Sequence, residues 1–158
     1  MKRRDMMKSG LAAGAVLALS GARLSAASAR FEVTHSDAEW RKLLSPKAYA
    51  VLRKQDTERA FTSPLNNEHR AGIFDCAGCE LPLYSSATKY DSGTGWPSFW
   101  KPLANAVATR KDRGLFTTRT EVHCRRCGGH LGHVFNDGPK PTGKRYCMNG
   151  VALKFLAA

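Results

Sequence analysis

Apolar positions fall into two textures along the chain. Near the start of the folded part they follow helical signals. Ser36-Asp37-Ala38-Glu39 has the spacing of a capping box, which predicts a short helix from there to about Leu44. Ser45-Pro46 then sets a hydroxyl cap before a proline at the first helical position, where its missing N–H costs nothing. A second helix is predicted to about Gln55, with Tyr49, Val51 and Leu52 on its buried face. From Gly72 onward Gly and Pro recur, and apolar runs are short: Gly72 to Asp75, Leu115 to Val122, His133 to Asn136 and Val151 to Leu156. The runs at 115–122 and 151–155 read as strands, the first rich in β-branched residues. The expected fold is mainly β: an antiparallel β domain over residues 30–158, led in by short helices, with no second domain.

One further apolar run, Leu11 to Leu19, precedes all of this. It follows Lys2, Arg3, Arg4 and Lys8 and leads to Ala27-Ser28-Ala29, a small-x-small cleavage pattern. Residues 1–29 therefore read as an export signal, too short in its apolar part to be a comfortable membrane span. Arg3-Arg4 gives it a twin-arginine character, with general secretion as the alternative route. The expected location is periplasmic or otherwise exported, with no stable membrane insertion. This segment also changes the charge. The whole chain carries 25 Lys/Arg against 13 Asp/Glu, a formal +12; without residues 1–29 the balance is 20 against 12, or +8. A basic surface could attract acidic partners. No stripe of alternating basic and aromatic residues accompanies it, and an exported protein meets little nucleic acid, so nucleic acid is not an expected partner.

The five cysteines sharpen the picture. Cys76-Ala77-Gly78-Cys79 and Cys124-Arg125-Arg126-Cys127 are two C-x-x-C knuckles, 44 residues apart. Each places two sulfurs on one side of a tight turn, as a tetrahedral Zn²⁺ requires. Gly78, and Gly128-Gly129 after the second pair, are expected to permit the turns. The alternative is a pair of redox-active disulfides. Four thiolates leave no open coordination position, so the expected cofactor is one structural zinc that staples the β domain.

Cys147 is left over. It lies in Arg145-Tyr146-Cys147-Met148-Asn149. In a strand Arg145 shares its face, and nearby positive charge favours the nucleophilic thiolate. Upstream, His130, His133 and Asp137 fall within eight residues and can supply acid/base chemistry. A third patch, Gly93-Thr94-Gly95-Trp96-Pro97-Ser98-Phe99-Trp100, crowds large rings into a Gly- and Pro-shaped loop.

Gly95-Trp96-Pro97-Ser98-Phe99, then Gly129-His130-Leu131-Gly132-His133-Val134-Phe135, then Arg145-Tyr146-Cys147-Met148-Asn149, with the knuckles interleaved, resemble the B-type methionine sulfoxide reductases. The resemblance runs from about Ser36 to Phe155. It implies a tent-like β fold and reduction of the R epimer of methionine sulfoxide in oxidised proteins and peptides. It further implies that Cys147 attacks the sulfoxide sulfur, leaving a sulfenic acid on its own sulfur. His130 or His133, with Asp137, would bind and protonate the oxygen. Arg145 would favour the thiolate, Asn149 would support the histidines or the substrate, and Trp96 and Phe135 would hold the substrate. Many family members carry a resolving cysteine where this chain has Thr94. The expected reductant is therefore external, a thioredoxin-like domain or another thiol.

Overall fold

The computed structural model describes residues 31–113 and 117–158. The export signal read at 1–29 lies outside the described residues. Two short helices open the described chain, α1 (Asp37–Leu43) and α2 (Pro46–Lys54). Both start as their sequences dictate. Ser36 accepts from the backbone N–H of Glu39 while the Glu39 carboxylate accepts from the Ser36 N–H, and Ser45 caps α2 ahead of Pro46. Gln55 ends α2 in the left-handed region (φ 59°). Trp40, Tyr49, Val51 and Leu52 are buried, as the spacing predicts.

The strands are β1 (Gly72–Cys76), β2 (Pro82–Ser85), β3 (Lys89–Tyr90), β4 (Ser98–Phe99), β5 (Val107–Arg113), β6 (Thr118–Cys124), β7 (His130–Phe135), β8 (Arg145–Met148) and β9 (Leu153–Ala157). The expected strand at 115–122 starts later among the described residues and runs on to Cys124. Its partner β5 is polar along most of its length and gave no apolar signal. The expected strand at 151–155 is displaced: residues 150–152 form a 3-10 turn, and pairing begins at Leu153.

Among the described residues all strand pairings are antiparallel, so the mainly β, antiparallel expectation holds. They form a three-stranded sheet, β2-β1-β9, and a six-stranded sheet, β3-β4-β8-β7-β6-β5. The core lies between them. Phe74 and Tyr84 of the small sheet meet Phe99 of the large one, Tyr84 stacked on it at 4.3 Å and Phe74 edge-on at 5.0 Å. Leu131, Met148 and Val122 complete this fully buried layer. Each such side chain contributes about 1.5–3 kcal/mol by leaving water. Because strand side chains alternate, burying Met148 in this layer turns Cys147 to the opposite face of the large sheet. That face carries Cys147 together with the polar residues paired across from it.

Candidate functional site

The two knuckles converge. The Sγ atoms of Cys76, Cys79, Cys124 and Cys127 all lie within 4.8 Å of one another. Cys76 and Cys127 approach to 3.7 Å, and Cys79 and Cys124 to 3.5 Å. A tetrahedral ion about 2.3 Å from four sulfurs spaces them by about 3.8 Å, so the cluster has the dimensions of a four-thiolate metal site. All five cysteines are free thiols, which removes the disulfide alternative. The knuckles share one backbone device: Glu80 N–H donates to the Cys76 carbonyl at 2.8 Å and Gly128 N–H to that of Cys124 at 2.9 Å. The residue after each second cysteine is left-handed, Glu80 at φ 57° and Gly128 at φ 68°. Gly128 thus does what was expected of it, whereas in the first knuckle that conformation falls to Glu80, not Gly78. Arg53 and Arg126 donate to the carbonyls of Cys127 and Cys79, tying α2 and one knuckle to the other. Four thiolates this crowded and largely buried repel one another unless neutralised, so the cluster fits a bound cation.

On the outward face of the large sheet, register sets a straight row. Ser98 of β4 pairs with Cys147 of β8, Cys147 with His133 of β7, His133 with Glu121 of β6, and Glu121 with Arg110 of β5. Directly paired residues share a face, so the thiol stands between a hydroxyl and an imidazole. Two residues along, Phe135 pairs with Arg145 and Arg119 with Asp112. Gly132 makes the close approach possible: a Cβ there would lie 2.1 Å from the Cys147 carbonyl oxygen.

Both histidines sit on this face, although their spacing in a regular strand would oppose them. The register shifts between Val122 and His123, where β7 spends an extra residue. Such a bulge re-aims side chains. The two rings end 5.4 Å apart, and each has its own carboxylate. His133 Nε2 lies 2.8 Å from Asp112, and His130 Nδ1 lies 2.8 Å from Glu121. The hydrogen bond from His133, reinforced by Arg119, holds Asp112 below the ordinary carboxylate range. Burial pushes Glu121 up, but hydrogen bonds from Arg110 and His130 outweigh it and keep that carboxylate low as well. Ionised carboxylates only accept, so Nε2 of His133 carries the proton it shares with Asp112. His130 is buried, and desolvation pulls it below the usual histidine value.

Asp137 does not reach either histidine. Its carboxylate takes both ends of the Arg145 guanidinium, at 2.9 and 2.7 Å. Arg145 also stacks over Phe135 at 4.2 Å. It is held above its ordinary range chiefly by Asp137, with the Cys147 sulfur adding to the effect. Asn149 is committed to the backbone: its Oδ1 accepts from Glu58 N–H at 2.9 Å, and its Nδ2 donates to the Leu131 carbonyl at 3.0 Å. It therefore braces the bulge beneath the histidines.

A cavity of about 110 Å³ opens at Cys147, walled by Trp96, Phe135, His133, Arg119 and Thr57. The indole of Trp96 is fixed by its N–H to the Glu58 carbonyl at 2.8 Å. Glu58 in turn accepts from Gly150 and Val151 through its carboxylate. Asp112, Glu121, Arg119, Thr57 and Glu58 were not identified from sequence. Each reaches the site by strand pairing or a loop crossing, which local motifs do not encode.

A small apolar-walled cleft, a lone thiol and a carboxylate-bound imidazole define a thiol enzyme built on a metal-stapled β fold. Residues 44–157 match the SelR domain. Among relatives, the peptide methionine sulfoxide reductase MsrB of Leptospira interrogans is 52% identical over 126 residues, 79% of this chain and 96% of its own. MsrB of Thiobacillus denitrificans is 54% identical over 76% of this chain and 92% of its own. The chloroplastic peptide methionine sulfoxide reductase B1 of Arabidopsis thaliana is 51% identical over 77% of this chain and 61% of its own. The chain belongs to the SelR-domain family of B-type peptide methionine sulfoxide reductases. Among the described residues no helix is long and apolar enough to cross a membrane.

Proposed function

We propose that the chain reduces the R epimer of methionine sulfoxide in oxidised proteins and peptides, with Cys147 as the nucleophile. The observation that carries this reading is the pairing of Cys147 with His133 at the mouth of an aromatic-walled cavity. The methyl-sulfur end of the substrate packs against Trp96 and Phe135, an apolar fit for a small thioether-like group. The oxygen is directed to His133, whose orientation Asp112 fixes. Cys147 attacks the sulfoxide sulfur as the thiolate while the imidazolium gives its proton to the oxygen. The hydroxyl then passes to the Cys147 sulfur as the substrate's sulfur–oxygen bond and the new sulfur–sulfur bond both break, so methionine leaves and Cys147 is left as sulfenic acid. Substrate sulfur gains two electrons and Cys147 loses two. One external thiol condenses with the sulfenic acid, releasing water, and a second reduces the mixed disulfide.

The four-cysteine cluster holds one Zn²⁺, an ion without redox chemistry that suits four thiolates and leaves turnover to Cys147. The N-terminal segment exports the enzyme, placing repair of oxidised exported proteins outside the cytoplasm. Incubating the chain with separate R and S epimers of a blocked methionine sulfoxide and dithiothreitol tests the activity. The expected result is methionine from the R epimer alone; methionine from neither, or from S as readily as R, overturns it. Elemental analysis tests for zinc, and a mature N-terminus near Arg30 in fractionated cells tests export.

A further inference from the structure

Three hydroxyls lead away from Cys147 and are not accounted for by the chemistry above. Thr94 Oγ1 lies 3.7 Å from Cys147 Sγ, Ser92 Oγ lies 2.8 Å from Thr94 Oγ1, and Ser98 Oγ lies 2.7 Å from Ser92 Oγ. The far end is fixed, because Ser98 donates to the Trp96 carbonyl at 3.1 Å. The loop that carries them is held firmly. Gly93 and Gly95, at φ 69° and 90°, flank Thr94, and Gly93 N–H is tied to Asp91 at 2.8 Å. The Gly95 carbonyl is gripped by Phe61 N–H at 2.8 Å and by the Asn66 amide at 3.0 Å. Ser98 is fully buried beside Cys147 in the sheet.

Each hydroxyl has one proton to give, so the direction of the chain can be counted. Ser98 spends its proton on the Trp96 carbonyl. Ser92 must then donate to Ser98, and Thr94 to Ser92. Thr94 is left with lone pairs toward Cys147, an arrangement that accepts S–H but opposes a thiolate. Rotating the three O–H bonds reverses every link: Ser98 donates to Ser92, Ser92 to Thr94, and Thr94 to the sulfur. No proton changes owner. One neutral bond to the Trp96 carbonyl is exchanged for a charge-assisted bond to the anion, the stronger of the two.

We propose that the Ser98–Ser92–Thr94 chain is a reversible donor that turns with the charge of Cys147. It holds the thiolate before attack and turns back to the Trp96 carbonyl once Cys147 is neutral. Thr94 is the catalytic member, since it touches the reacting sulfur; Ser92 and Ser98 are positioning residues. This rests on Cys147 being the nucleophile of the proposed reductase. It also gives Thr94 a task of its own at the position where other family members carry a resolving cysteine.

The test is the rate at which Cys147 is alkylated by iodoacetamide at pH 7 in the metal-loaded full chain, read by peptide mass mapping. Only the thiolate reacts, and no sulfoxide is needed. Thr94→Val keeps the shape and removes the hydroxyl; Thr94→Ala is the second hydroxyl-free variant should valine disturb folding. Both are expected to slow alkylation about tenfold, the scale of one hydrogen bond to a charged group. Thr94→Ser is expected to restore it to within about twofold of the native rate. In turnover with the R epimer, Thr94→Val should lower kcat by a similar factor and leave KM unchanged. Native-rate alkylation of the hydroxyl-free variants, or equal slowing in Thr94→Ser, overturns the proposal. Slowed alkylation in a protein that does not reduce sulfoxide would leave the hydroxyl chain standing and remove the proposed reductase instead.

Discussion

The molecule puts the same side chain to two opposite uses. Cys76, Cys79, Cys124 and Cys127 sit in turns, two by two, and their sulfurs crowd within 4.8 Å. Cys147 sits within a strand, and its cross-strand neighbours are a hydroxyl and an imidazole. In the cluster a left-handed residue after each knuckle and paired backbone donors aim sulfur at sulfur. In β8 the alternation of the strand aims one sulfur away from the core and into a cleft. Geometry, not residue type, separates four thiols placed to share a metal from one placed to face a cleft. On the proposed reading the difference also divides labour: the cluster sustains the fold, and the sheet face carries the reaction.

The strongest way to break this comparison is to exchange the consequences. Cys124→Ser removes one of four metal ligands. Binding of a structural metal of this kind is worth about 10 kcal/mol or more of folding free energy. The expected outcome is loss of metal and of cooperative unfolding, read by elemental analysis and thermal denaturation. Cys147→Ser should leave both untouched and lower R-sulfoxide reduction by about a thousandfold or more, because an alcohol is a far poorer nucleophile at neutral pH. A metal-free but stable Cys124→Ser protein, or an active Cys147→Ser protein, would dissolve the division.

Asp112→Asn sharpens the reactive side. It removes the charge that fixes His133 while keeping the shape of the side chain. A loss of about 10²-fold in kcat is expected, the lower end of what a positioned acid/base contributes. If Asp137→Asn has that effect and Asp112→Asn does not, the assignment of the carboxylates is reversed.

The smallest expected effect is on the pH dependence of stability. Burial holds both His130 and His123 below the ordinary histidine value of 6.5. The folded chain therefore binds fewer protons than the unfolded chain below that pH, and stability rises with pH there. The contribution is complete above 6.5 and is lost as pH falls through the lower folded values. Asp112 and Glu121, also lowered, add the same sign in more acidic solution. Tm should drop by about 2–4 °C between pH 6.5 and 5.5. His130→Gln, which still offers Glu121 a donor, should flatten part of that slope; an equally steep slope would mean that His130 is not the group responsible.

Local chemistry made much of this readable in advance. The Ser36 and Ser45 caps, the two knuckles and the strand around Cys147 are all short-range signals. What stayed hidden depends on pairing. Asp137 was grouped with the histidines because it is close in sequence, yet the β7–β8 pairing delivers it to Arg145. Asp112 and Glu121, the carboxylates that do bind the imidazoles, come from strands whose register no motif announces. β5 was missed for a related reason: with polar residues along most of its length, it has no apolar stripe to read. The bulge that brings His130 beside His133 has no local signature either. The hydroxyl chain needed both the Gly93–Gly95 loop and the β4–β8 register before Thr94, Ser92 and Ser98 could be seen as one unit.

The central claim is that Cys147 alone undergoes redox change while the four clustered sulfurs keep their metal. Its most direct test is a single turnover: excess R-sulfoxide, no reductant, then native and denaturing intact mass with metal analysis on one sample. The account predicts a gain of about one oxygen, trapped on Cys147 by a sulfenic-acid reagent, with metal fully retained. Loss of two thiols to an internal disulfide, with metal released, would contradict it.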